Sequence, residues 1–299
     1  GVGKSALAAN TSGTGNVAVG KDAMLYGTTG DYNVALGMLT LGGSDVSTGN
    51  HNISIGRKSM FDNTSGNQNV AIGSSSLENN TTAANNTAVG FCSMKANTTG
   101  SSLVALGACA LAANTTAAYN VAIGKGAMYA TTTGHTNTAV GQTALNVSTT
   151  GANNVSIGAS TLEANTTGYG NVAVGNGSLI ANTEGQNNTA AGMGSGDSIT
   201  TGNKNITIGY NGGHNVTTGG GNVLIGDSAG TDAVRNVTTG SNNIVLGNNA
   251  SATAHIKIDW TVTSDERDKM NFEEVPHGLD FVNQMKPVSF VFKKSREDA

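Results

Sequence analysis

The residues able to do chemistry in this 299-residue chain are few and scattered. Glycoside hydrolysis needs two carboxylates about 5–10 Å apart. Residues 1–263 hold only 11 acids, and Glu78 and Glu163, which share a phase in a 17-residue repeat, lie five units apart. A pair formed across subunits stays open. Gly1-Val2-Gly3-Lys4-Ser5 imitates the end of a phosphate-binding loop, whose full form is G-x-x-x-x-G-K-[ST] between a strand and a helix. Lys4 instead aligns with Lys21 and Lys125, and no helical pattern follows. His51, His135 and His214 occupy no metal-ligand spacing, so neither a metal nor another cofactor is expected. Cys92 and Cys109 are 17 residues apart at one phase. Stacked Cα atoms at ~4.8 Å would allow a disulfide. Other units carry Ser, Gly, Thr or Asn there, which supports small filler and free thiols. The Asn-x-Ser/Thr triplets at Asn97, Asn114 and Asn165 follow from the repeat and do not mark a glycosylated protein. Outward Thr-Thr pairs would suit ice binding, but here they fall in Gly-bounded turns.

The composition limits what can position these groups. Charged residues make up 11% of the chain, against ~25% in ordinary domains. There are 43 Gly, only two Pro, and a net charge of -4. Collagen needs Gly at every third residue and charge-driven disorder needs a high net charge, so neither fits. The weak negative charge argues against nucleic acid as a partner. No apolar run reaches the ~20 residues of a membrane span and no signal peptide opens the chain, so no membrane insertion is expected. The chain starts in mid-pattern and is read as a fragment whose N-terminus lies upstream. Of its 34 charged residues, 20 lie in residues 1–263 and 14 in the last 36, so two physical objects join near residue 260.

The first object is a repeat, Asn-x-(small)-x-Gly, whose fifteen glycines run from Gly3 to Gly247, with 12 of 14 intervals equal to 17 residues. Extra residues before Gly56 and Gly247 restore the phase afterwards, as surface loops do. Triplets such as Val17-Ala18-Val19 and Val70-Ala71-Ile72 alternate with the period of a strand. An apolar residue, such as Leu111 or Met128, stands four after each Gly as far as Leu179, and a Thr-Thr-Gly turn follows. One such unit cannot bury its apolar face alone. The expected fold is therefore all-β: a parallel β-roll or β-helix of about 15 rungs over residues 1–250, a rod on the order of 70 Å at ~4.8 Å per rung. Both Ile123 and Leu111 are read as core positions. Thirteen of the fourteen positions four residues before the later glycines hold Asn, among them Asn16, Asn33, Asn69, Asn120, Asn154 and Asn171. Asn at rung spacing predicts a structural side-chain ladder. From Gly192 onward the Leu/Met point becomes Gly196, Gly213 and Gly230, and a change of cross-section is expected near residue 190. The small middle residue of each triplet invites close packing, either against another chain or internally.

The second object follows an exit strand and linker over residues 251–263. Residues 264–299 hold Ser264, Asp265, Arg267 and Lys269, then Leu279 and Val282 in an amphipathic helix, then Pro287, Val288 and Phe290 in a strand. This short α+β pattern resembles the start of the auto-cleaving intramolecular chaperone domain, endosialidase type, at the C-terminus of phage tail spikes and fibres. The resemblance implies a single-turnover cleavage in which Ser264 Oγ attacks the Thr263 carbonyl and Lys269, its pKa lowered by burial, acts as base. Asp265 and Arg267 would shape the turn. A polar loop joining strand to helix is the alternative. More loosely, residues 1–250 resemble the N-x-A-I-G repeats of phage fibres and of trimeric autotransporter adhesin heads. Both resemblances imply a homotrimer that adheres to cells. The expected function is that of a tail fibre or spike shaft in a virion, contacting other tail proteins and a host cell-surface receptor, a glycan. The alternatives are an adhesin head on a bacterial surface and a polysaccharide-degrading spike.

Overall fold

The computed structural model describes residues 1–43, 47–232 and 235–253. The chain divides into two compact units, residues 1–252 and 253–299, and every element below belongs to the first.

Fourteen strands of three residues, from β1 (Val17–Val19) to β14 (Ile244–Leu246), form one parallel sheet in sequence order. The sequence dictates the register, since like stacks on like: Val17 pairs with Val34 and Ala18 with Ala35, and the same offset recurs at Val121 and Thr138. Val2 adds a bridge to Val19, so the first repeat also joins the stack. Pairing continues beyond the strands, for Leu111 N–H donates to the Ala127 carbonyl at 3.0 Å and Thr98 N–H to the Thr115 carbonyl at 3.0 Å. Each rung thus gives much of its backbone to its neighbours, as a parallel β-solenoid must.

The corners are made by left-handed residues. In the rung of Gly107 these are Gly107 itself (φ 139°), Cys109 (57°), Leu111 (51°) and Tyr119 (61°). A Cβ on Gly107 would stand 2.5 Å from the carbonyl oxygen of Gly124 in the next rung, so stacking alone demands glycine there. The left-handed Leu111 explains a choice of residue. A β-branched side chain is strongly disfavoured at positive φ, whereas the unbranched Cβ of Leu or Met is tolerated. Hence Leu or Met, and never Ile or Val, fills that point from Leu7 to Leu179.

The expected facing of the triplet is corrected by the structure. The small middle residue points inward: Ala35, Ala71, Ala105 and Ala122 are wholly buried, while the outer Val and Ile residues face out. Ile123 is 36% exposed and is not a core residue, whereas Leu111 is fully buried. A three-residue side leaves too little room inside for two branched chains per rung beside the Leu/Met column. The core therefore consists of Ala, Ser, Leu, Met and buried Asn.

Beyond Leu179 the core filler changes place. Gly196, Gly213 and Gly230 keep the left-handed backbone, with φ of 60°, 69° and 75°. Ile199, Val216 and Val237, three or seven residues on, are buried instead. A Cβ at Gly196 would meet Ile199 Cδ1 at 3.0 Å and Leu179 Cδ2 at 3.1 Å. Strand pairing keeps its register across this exchange, from Val172–Thr189 to Thr189–Ile206.

Candidate functional site

The asparagines four residues before the glycines form a ladder on both sides of Leu103, buried from Asn33 to Asn222. Asn33 N–H donates to Asn16 Oδ1 at 2.8 Å, and Asn16 Nδ2 donates to the Gly30 carbonyl at 2.7 Å. Asn69 N–H reaches Asn52 Oδ1 at 3.0 Å, and Asn120 Oδ1 accepts Asn137 N–H at 2.8 Å. Asn154 Oδ1 accepts both the N–H and the Nδ2 of Asn171, at 3.0 and 3.2 Å. Each amide spans two rungs and also holds a turn carbonyl, so the buried corner keeps its polar groups paired. A second ladder was missed by the sequence reasoning. Asn80 Nδ2 donates to Asn63 Oδ1 at 2.7 Å, Asn97 Nδ2 to Asn80 Oδ1 at 3.2 Å and Asn114 Nδ2 to Asn97 Oδ1 at 2.6 Å. Its signal was the Asn that opens each Asn-Thr-Thr triplet. These buried asparagines include those of the Asn97, Asn114 and Asn165 triplets.

Ser264, Asp265, Arg267 and Lys269 lie outside the described residues, as does the exit strand over 255–262. Among the described residues the other reactive groups form local pairs and one cluster that brings Cys92 and Cys109 near Glu78 and Lys95. Gly3 takes the φ of a repeat glycine, 128°, and Lys4 offers its carbonyl to Asp22 N–H in the next rung. His51 stacks on Tyr32, ring centroids 5.2 Å apart, and His214 Nδ1 stands 2.6 Å from Asp197 Oδ1. Among the described residues no three His, Cys, Asp or Glu side chains gather as metal ligands do. Cys92 and Cys109 sit half-buried on adjacent rungs as free thiols. Burial pushes the Cys92 thiol up, and neighbouring Cys109 adds to this. Glu78 stands 3.5 Å from both Lys58 Nζ and Lys95 Nζ. Burial raises the Glu78 pKa, but the Ser75 hydroxyl and the two ammoniums outweigh burial and hold the carboxyl below its ordinary value.

The outer face of the sheet is a continuous surface of one character. None of the outward positions of the fourteen strands holds a charge; all are Val, Ile, Leu, Thr or Ala. Exposure there reaches 48% at Val17 and 67% at Ile244. At ~4.8 Å per rung the strip runs for about 60 Å. Monomeric proteins seldom leave so long an apolar strip in water.

Against known proteins, the family model described as the chaperone of endosialidase matches residues 264–299. No curated protein and no solved structure matches the chain. The molecule thus combines a parallel β-solenoid with a C-terminal segment of the endosialidase-chaperone type, which suggests a protein of the tail fibre or spike kind.

Proposed function

We propose that this chain is the shaft of a phage tail fibre or tail spike, a homotrimer that extends from the virion and attaches to a glycan on the host cell surface. The observation that carries the reading is the charge-free Val/Ile strip on a solenoid followed by an endosialidase-type chaperone segment. Such chaperones are read here as bringing three chains into register, and the strip supplies the surface that association buries. Packing two or more such strips together removes apolar area from water along the whole rod, and the ladder of paired rungs then resists local opening. In the same reading the chaperone leaves by one cleavage: Ser264 Oγ attacks the Thr263 carbonyl as Lys269 takes the hydroxyl proton, the Thr263–Ser264 C–N bond breaks as that proton passes to the Ser264 amine, and water hydrolyses the resulting ester, leaving a carboxylate on Thr263 and a new chain end at Ser264. Loss of the chaperone would lock the shaft kinetically.

Sedimentation of the full chain tests the assembly. A trimer is expected for the wild type. Ile123→Asp combined with Ile157→Asp, which places charge on the strip without touching the chain's own core, is expected to yield monomers that keep their β signal. A compact wild-type monomer at micromolar concentration would overturn the assignment.

A further inference from the structure

The fifth residue after each repeat glycine forms an outward column, and in five successive rungs it reads Phe61, Glu78, Lys95, Ala112, Tyr129. Large side chains therefore stand on both sides of Ala112, whose own side chain stops at Cβ. The adjoining column is short as well, reading Asn79, Ala96, Ala113. The result is a pocket of about 370 Å³ lined by these small residues, by Lys95 and Tyr129 as its two walls, and by Cys92 and Cys109.

Its dimensions follow from the rung repeat. The rungs of Lys95 and Tyr129 are two steps apart, about 10 Å. A ring entering at the level of Ala112 takes the place of one absent side chain, with roughly 4–5 Å to each wall, which is stacking distance for an aromatic face. Rung pairing fixes the backbone beneath the walls: Asn79 N–H donates to the Lys95 carbonyl at 3.1 Å, Ala96 N–H to the Ala112 carbonyl at 3.0 Å, and Ala113 N–H to the Tyr129 carbonyl at 3.0 Å.

The wall chemistry selects the occupant. Tyr129, 48% exposed, offers a ring face that suits aliphatic C–H groups. Lys95 is steadied by Glu78 at 3.5 Å, yet its ammonium has three donors, and Asn79 brings an amide. A ring with an apolar face and an acceptor-rich rim satisfies both walls, and a pyranose is such a ring. Glu78 is already shared between Lys58 and Lys95, so a carboxylate on the sugar would meet the Lys95 ammonium at a donor position that Glu78 does not use. The volume lies at the small end of ligand pockets, enough for a single sugar residue with its chain running out into solvent. None of the walls belongs to the outward strand positions, so the pocket and the apolar strip use different columns of the rung.

We propose that the Lys95–Ala112–Tyr129 slot binds one pyranose residue of a surface polysaccharide, preferring a residue that carries a carboxylate. The assignment rests on the attachment reading above and gives it a location. Saturation-transfer NMR on the full chain, with tri-galacturonate and cellotriose as probes, tests it. Transfer to the uronate is expected to exceed transfer to the neutral sugar. Tyr129→Ala should weaken uronate binding roughly tenfold, the loss of one aromatic contact. Ala112→Phe should abolish it by filling the slot, and the fold accepts Phe in that column, as Phe61 shows. Bound uronate should also slow maleimide labelling of Cys92 and Cys109, and this protection should vanish in Ala112→Phe. Binding unchanged in both variants, or neither transfer nor protection with either sugar, overturns the slot. Host-cell adsorption separates the two readings. Equal adsorption by wild type and Ala112→Phe overturns the slot and leaves attachment standing. A wild type that binds uronate in the slot but adsorbs to no susceptible cell overturns attachment alone.

Discussion

Exchanging Leu111 for its own isomer should damage the rod about as much as cutting it to Ala. Leu111 is fully buried. Its amide reaches the Ala127 carbonyl at 3.0 Å and its carbonyl accepts Asn114 N–H at 3.1 Å, so its backbone is held in place. Leu111→Ala leaves a cavity between Met94 and Met128, whose flexible thioethers partly fill it. The cost should therefore fall in the lower half of the usual range, about 2–3 kcal/mol per chain. Leu111→Ile keeps every atom, and volume-conserving swaps ordinarily cost under ~1.5 kcal/mol. Here φ is 51°, and a β-branched residue held in that region should add about 1–3 kcal/mol of strain. The isomer should then lose about 1–4.5 kcal/mol in all, a range centred on the cost of the Ala variant. Native-state hydrogen exchange at the Leu111 and Asn114 amides, with rungs five steps away as internal control, reads the local opening free energy directly. An Ile variant within about 0.5 kcal/mol of wild type, beside an Ala variant that loses the expected amount, would refute the argument.

Three further outcomes are expected. Leu103 has no side-chain oxygen to offer the Asn120 amide, so Leu103→Asn should slow exchange at the Asn120 N–H, whatever it does to overall stability. Glu78 has a folded-state pKa below its unfolded value. Its stabilising contribution is thus complete above the ordinary Glu pKa and is lost as pH falls through the lower folded-state value. Melting temperatures of wild type and Glu78→Gln should accordingly differ at pH 7 and converge in acid, and a gap that does not narrow as pH falls below the ordinary Glu pKa would contradict the ion-pair account. Finally, mass spectrometry of the mature protein expressed from its full-length gene should find a chain end at Thr263 in wild type, with Ser264→Ala and Lys269→Ala left uncleaved yet folded. An intact peptide spanning residues 263 and 264 in wild type would make Ser264 a turn residue.

The linear code carried the period, the strands and the glycines, because each is a local demand. A 17-residue return of Asn-x-Ala-x-Gly leaves few alternatives to in-register stacking, and Gly107 is required by a carbonyl one rung away. The first amide column was equally legible at Asn16, Asn33, Asn69, Asn120, Asn154 and Asn171, since one residue type recurs at one phase. What alternation could not decide was which side of Val121-Ala122-Ile123 is the inside. Both sides are apolar, and hydrophobicity alone assigns the larger residues to the core. The closed rung reversed that choice: three residues per side enclose a space that a single Leu or Met, an Ala and two amides already fill, so the branched residues are turned out. The left-handed backbone at Leu111 is likewise a property of the closed corner, and only it explains why Leu and Met stand where Ile never does. The slot at Ala112 depends on the stack as well, for Lys95 and Tyr129 are 34 residues apart in the chain and become neighbours across one absent side chain only when rung lies on rung.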